Sequence, residues 1–219
     1  MPVNQIKVNP IWATPVWEVP LAFDKAFNQS LLNELQEIGK GLTNGTVIHD
    51  SLWDYDKPCL NELKKAITDT VSIKVQESIP EAKELNMTVD SHMCWPNIRQ
   101  PNETMEVHAH TDATIAATYF VQAEEDCGDL VLFDTKEAID WENGSLSKNP
   151  LLKTIKIKPK ESSLVFFPSY VMHIVEKNNS QKQRVSITCD LKKVIDKSQP
   201  NAIVLKSWAE KMVSICLEN

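Results

Sequence analysis

A mainly β fold with flanking helices is expected, on three observations. From residue 87 onward, apolar side chains recur with a period of two, in short runs parted by turn residues. Ahead of that region, two segments repeat apolar residues every three or four positions, the period of an amphipathic helix. Pro10, Pro15 and Pro20 keep the opening stretch extended. Short strands at close spacing predict an antiparallel sandwich or barrel. One domain spans 1–219, with supporting elements over 1–86, the β core over 87–194 and a tail over 195–219.

Taken in order, residues 1–23 are extended, with Ile11-Trp12 and Val16-Trp17 offering apolar side chains. A helix over 24–40 places Phe27, Leu31, Leu35 and Ile38 on one face, and Gly39 and Gly41 end it. A polar linker with Asn44-Gly45 carries His49, which reads as a solvated loop residue. A second helix over 59–79 aligns Leu60, Leu63, Ile67, Val71 and Val75, with Pro58 near its start and Pro80 closing it. Strands are expected over 87–98, 106–112, 114–122, 129–133, 152–158, 163–167, 172–176 and 184–191. The polar stretch 135–150, with Trp141 and Asn143-Gly144, is either a lid or a plain excursion. A helix over 202–217 would turn Val204, Trp208, Met212 and Ile215 inward.

Charge and cysteine usage narrow the function classes. The net charge of -7 and a pI near 5.3 disfavour nucleic acid as a partner, because phosphate binding needs a basic surface. Cys59, Cys94, Cys127, Cys189 and Cys216 are scattered and odd in number, unlike a disulfide framework or a zinc knuckle. No charged-then-apolar leader and no membrane-length apolar run is present, so a soluble, cytoplasmic protein without a membrane partner is expected.

The residues richest in chemistry lie at 107–112. On a continuous strand, His108, His110 and Asp112 would project to one side. His173 lies on a separate predicted strand. Two histidines and a carboxylate form a facial triad that leaves adjacent positions open on an octahedral metal, and such a set suits Fe(II) better than structural zinc. A His-x-Asp pair alone is weak evidence. The stronger signal is Arg184-Val185-Ser186-Ile187-Thr188-Cys189, where alternation puts Arg184, Ser186 and Thr188 on one face. On a wet edge strand this Arg would mean nothing. Inside a barrel it demands an anion, and a guanidinium fork fits a carboxylate.

His110-x-Asp112, His173 and Arg184-x-Ser186 together resemble the signature of Fe(II)/2-oxoglutarate-dependent oxygenases. Trp95-Pro96-Asn97, His108-Ala109-His110, Ala116-Ala117-Thr118-Tyr119-Phe120 and Leu164-Val165-Phe166-Phe167-Pro168-Ser169 are similar to an oxygenase family of marine bacteria and their tailed phages, related to prolyl hydroxylases. The resemblance covers about residues 87–194. It implies a double-stranded β-helix (jelly-roll) core binding Fe(II), 2-oxoglutarate and O2, and a hydroxylase coupling oxidative decarboxylation of 2-oxoglutarate to C–H hydroxylation. By position it makes His110, Asp112 and His173 the iron ligands, and Arg184 and Ser186 the clamp on the distal carboxylate. Tyr119 and Asn97 would be further contacts to the co-substrate. His108 is then an outer or substrate-side residue, the alternative being a His-x-His ligand pair. The chain departs from the family's pattern at Ala116-Ala117, where Ser-Gly is usual, and at Ser162, near a usual Gly.

The resemblance also suggests a prolyl residue as substrate, in a peptide or protein, with a free amino acid as the alternative. A phage-encoded copy would act in the host cytoplasm, and a homodimer is compatible with the sequence. One rival is a metal-binding, cupin-like jelly-roll without catalysis, which leaves Arg184 and Ser186 unexplained. Another is a purely structural phage jelly-roll with the three ligands on its surface. His92 reads as packing or surface, and Trp12, Trp17, Trp53 and Trp95 as core. Lys153, Lys156, Lys158 and Lys160 read as a solvated face. Glu124-Glu125-Asp126 reads as a turn whose acidic rim would suit a basic substrate.

Overall fold

A computed structural model describes residues 13–39, 50–134 and 154–195. The expected start through Trp12, His49, the stretch 135–150, the beginning of the 152–158 strand and the helix over 202–217 lie outside the described residues. Among the described residues, nine strands form two antiparallel sheets. In chain order they are β1 (Trp17–Pro20), β2 (Thr88–Arg99), β3 (Met105–His108), β4 (Ile115–Gln122), β5 (Leu130–Phe133), β6 (Thr154–Ile157), β7 (Ser163–Pro168), β8 (His173–Val175) and β9 (Arg184–Val194). The larger sheet runs β1-β7-β4-β9-β2 and the smaller β3-β8-β5-β6. This is the expected mainly β, jelly-roll arrangement.

Helix α1 (Lys25–Glu37) starts at Asp24, whose carboxylate accepts from the Phe27 amide at 2.8 Å, and Gly39 at φ +69° follows its end. Helix α2 (Pro58–Ser78) has Pro58 at its start. There the Glu34 carboxylate takes the Cys59 and Leu60 amides at 3.0 and 3.1 Å, pairing free donors and opposing the positive end of the helix. The two helices thus lock together through α1's own side chain. Pro80 does end α2, but it also opens a short third helix, α3 (Pro80–Glu84). A residue without an N–H costs nothing at a first helical position.

Strand alternation then sorts the larger sheet into two faces. Ala117, Tyr119 and Val121 of β4 and Val185, Ile187, Cys189 and Leu191 of β9 pack under α1 and α2 with Leu31, Leu35, Leu63, Ile67 and Val71. Ala116, Phe120, Val165 and Phe167 face the smaller sheet and meet Leu130, Leu132, Ile157 and Val175. Burial on both faces explains why β4 is almost continuously buried. The gap between the sheets receives the polar residues Arg184, Ser186 and Thr188 of β9. Cys94 and Cys189 meet as a cross-strand pair with sulfurs 3.4 Å apart, as free thiols. No described helix is long and apolar enough to cross a membrane.

Gly128 aligns β5 with β8. It adopts φ +91°, and a Cβ there would lie 2.2 Å from the Glu176 carbonyl oxygen. Left-handed strain and a backbone collision add, so Gly128→Ala should cost roughly 2–5 kcal/mol. A denaturant midpoint unchanged from wild type would show that this contact is dispensable.

Candidate metal centre

β3 ends at His108, where it pairs with β8 so that His108 stands opposite His173. The chain then leaves the strand. His110 follows on a connecting segment anchored by its amide to the Ser169 carbonyl at 3.0 Å, and Thr111 and Asp112 form a turn. The strand expected over 106–112 is therefore cut short, and the alternation placing Asp112 beside His110 fails with it. The three imidazoles of His108, His110 and His173 converge instead, with one nitrogen of each within 4.8 Å of the others. Ring centroids are 4.2 Å apart for His108 and His173, 5.2 Å for His110 and His173, and 5.5 Å for His108 and His110. Trp95 stacks on His110 at 5.6 Å, and Phe167 meets His173 edge-on.

The outer hydrogen bonds fix which nitrogen faces inward. His108 Nδ1 lies 2.8 Å from the Glu106 carbonyl, His173 Nδ1 2.9 Å from the Val171 carbonyl, and His110 Nδ1 2.6 Å from the Asp190 carboxylate. A carbonyl can only accept, and an ionised carboxylate likewise, so each Nδ1 carries the proton. Each Nε2 is then the ring nitrogen left to meet a metal. Burial pushes the His173 pKa down to about 4 and lowers that of His108, so both are neutral near pH 7 and compete little with protons for a metal. Among the described residues, no other group of three such side chains converges.

Asp112 stands outside this group. Its side chain is 81% exposed and accepts from Lys192 Nζ at 3.0 Å, with His92 Nε2 at 3.6 Å. The Lys192 hydrogen bond holds its carboxyl below the usual range. His108, expected outside the ligand set, occupies the place expected of Asp112. His92, read as packing or surface, is an exposed residue beside Asp112 and apart from the cluster.

The histidines share a pocket between the sheets with Trp95, Asn97, Thr118, Arg184, Ser186 and Thr188. Arg184 is 1% exposed, and its Nε and Nη1 have no partner among the described residues. Its guanidinium lies 5.2 Å from the centre of the Phe120 ring. Burial lowers its pKa to about 10, which leaves it cationic at neutral pH. Ser186 is fully buried beside it, and Asn97 Oδ1 is another buried polar atom without a partner. A buried cation with two unsatisfied N–H groups beside unused polar atoms calls for an anionic guest.

Tyr119 is a correction. It points under the helices, where its hydroxyl donates to Asn28 Oδ1 at 2.6 Å. Its neighbour Thr118 faces the pocket. Burial pushes the Tyr119 phenol up to about 12. The folded state therefore holds this proton more tightly than the unfolded chain, and that share of stability is lost as pH rises from about 10 through 12. Tyr119→Phe should cost about 1–3 kcal/mol by leaving Asn28 Oδ1 without its donor, and should leave 2-oxoglutarate affinity unchanged. Calorimetry on the binding of that acid checks the second half.

Asp190 and Thr118 were missed. One more step of the Arg184-Ser186-Thr188 alternation reaches Asp190, and the same rule selects Thr118 over Tyr119. Ser162 does adopt the left-handed backbone, at φ +62°, and its hydroxyl accepts from Asn28 at 3.1 Å.

Residues 93–190 match the family model described as "Putative 2OG-Fe(II) oxygenase". No curated protein matches the sequence. Similar solved structures include a Pseudomonas putida prolyl-4-hydroxylase (14% identity, TM-score 0.53, covering 82% of this chain and 85% of that one). HygX from Streptomyces hygroscopicus with nickel and 2-oxoglutarate bound is 12% identical (TM-score 0.53, 82% and 83% covered). AviO1 from Streptomyces viridochromogenes Tue57 is 10% identical (TM-score 0.56, 85% and 92% covered). At these identities the likeness is one of fold.

Proposed function

We propose, from the match of residues 93–190 to the 2OG-Fe(II) oxygenase family, that this chain hydroxylates a C–H bond using Fe(II), 2-oxoglutarate and O2. His108, His110 and His173 would hold the metal, and Arg184 with Ser186 the distal carboxylate of 2-oxoglutarate. The observation that carries the reading is the pairing of two features in one pocket: three converging imidazoles, and a buried guanidinium with two unsatisfied N–H groups. Imidazole donors suit iron among other first-row metals. When bound, metal and co-substrate supply the oxidative decarboxylation that drives hydroxylation. The chain's own residues bind and orient. Arg184 and Ser186 would hold the distal carboxylate in the pocket they share with the histidines. Asn97, whose Oδ1 has no partner and whose amide lies 3.4 Å from Met105 Sδ, can orient either guest through its amide. Trp95 and Phe167 wall the imidazoles and keep bulk water from them.

A prolyl residue in a peptide is the substrate we propose, on the fold shared with the prolyl-4-hydroxylase. A non-catalytic metal-binding jelly-roll is the competing reading, and it leaves the unsatisfied N–H groups of Arg184 without purpose. The test is anaerobic addition of Fe(II) and 2-oxoglutarate, followed by O2 and proline-containing peptides. A metal-to-ligand charge-transfer band and peptide-stimulated succinate are expected. No band would remove the oxygenase reading, and a band with succinate stimulated only by free amino acids would remove the peptide substrate.

A further inference from the structure

The three imidazoles differ in what lies behind them. His108 and His173 each donate to a neutral backbone carbonyl, whereas His110 donates to the Asp190 carboxylate at 2.6 Å. Asp190 sits on β9, on the same face as Arg184, Ser186 and Thr188, and its side chain is 14% exposed against 5% for His110. Its cross-strand neighbours are Met93 on β2 and Ala116 on β4, so neither flanking strand offers it a cation. A carboxylate set this deep is costly unless a hydrogen bond uses it, and the one it makes is to the ring of His110.

The need is plain from the donor set. Three imidazoles lack the anionic ligand of a two-histidine, one-carboxylate site, and Asp112, the nearby candidate, stands outside, paired with Lys192. We propose that Asp190 is a positioning residue that fixes the tautomer and angle of His110 and supplies the site's negative charge one hydrogen bond beyond the metal. The proposal rests on the three-histidine reading. A carboxylate behind a ligating imidazole raises its basicity, and losing such a partner weakens metal binding by roughly 10–100-fold. Rigid β9 thus controls a ligand carried on an irregular segment.

The experiment measures Co(II) affinity and absorption on the full chain, with Asp190→Asn, Asp190→Ala, His108→Ala and His173→Ala. Asp190→Asn keeps the shape and an accepting oxygen while removing charge, so the fold should survive. Expected is a loss of roughly 10-fold in Asp190→Asn and nearer 100-fold in Asp190→Ala, with a shifted Co(II) d–d envelope in both. A purely structural Asp190 would lower the metal-free unfolding midpoint and leave the metal-induced rise and the spectrum unchanged, which overturns the proposal. Affinities within about threefold of wild type in both Asp190 variants, while the histidine variants lose Co(II), would overturn it alone. If His108→Ala and His173→Ala bind Co(II) as wild type does, the three-histidine reading fails first and Asp190 falls with it.

Discussion

His108→Ala should abolish the anaerobic charge-transfer band and weaken metal binding by more than roughly 100-fold, since losing a ligand outweighs losing a partner behind one. Asp112→Ala should leave both nearly untouched. The contrast follows from where the chain leaves β3. His108 is the last paired residue and faces His173 across β8, so its ring is placed by the sheet. Asp112 lies beyond, in a turn, with an exposed carboxylate engaged by Lys192. A surface ion pair of that kind contributes little, so its removal should not disturb the fold either. The reverse result, with Asp112→Ala losing metal and His108→Ala keeping it, would mean that the turn swings inward to form the facial triad of His110, Asp112 and His173. Metal titration of the two variants side by side separates these outcomes.

That contrast also marks how far the residues speak for themselves. The alternation of β9 was legible, because a strand buried on both faces cannot hide an Arg, a Ser and a Thr on one side without a purpose. The helices were legible from their apolar stripes and prolines. What was not legible is where β3 stops. Strand ends are set by pairing with β8, some sixty residues away in the chain, and by a turn at Thr111–Asp112 that no Gly or Pro announces. Once the strand was extended too far, the His-x-Asp spacing looked like a ligand pair and His108 like a bystander. Tyr119 shows the opposite lesson. Its chemistry suited a carboxylate, but the parity of β4 already sent it under the helices.

Arg184→Met should leave metal affinity largely intact, abolish 2-oxoglutarate binding and, against habit, raise the stability of the ligand-free protein or leave it unchanged. Without a guest, Arg184 is a buried cation whose Nε and Nη1 are unsatisfied, with Phe120 beneath it. Breaking up an ion pair destabilises because a lone charge remains; here the lone charge is the starting state, and an apolar side chain of similar length removes it. The co-substrate tells the other half. Two charge-assisted hydrogen bonds at about 1.5–3 kcal/mol each put the loss near 3–6 kcal/mol, or roughly 10²–10⁴-fold in affinity. Thermal unfolding with and without 2-oxoglutarate reads both effects in one instrument: the variant should start at or above the wild-type midpoint and show no rise when the acid is added. A variant that unfolds well below wild type, and still gains from the acid, would mean that the guanidinium is a structural prop and the carboxylate binds elsewhere. The two effects are opposite in sign because one buried charge is responsible for both: it weakens the empty protein by the same want of a partner that makes it hold an anion.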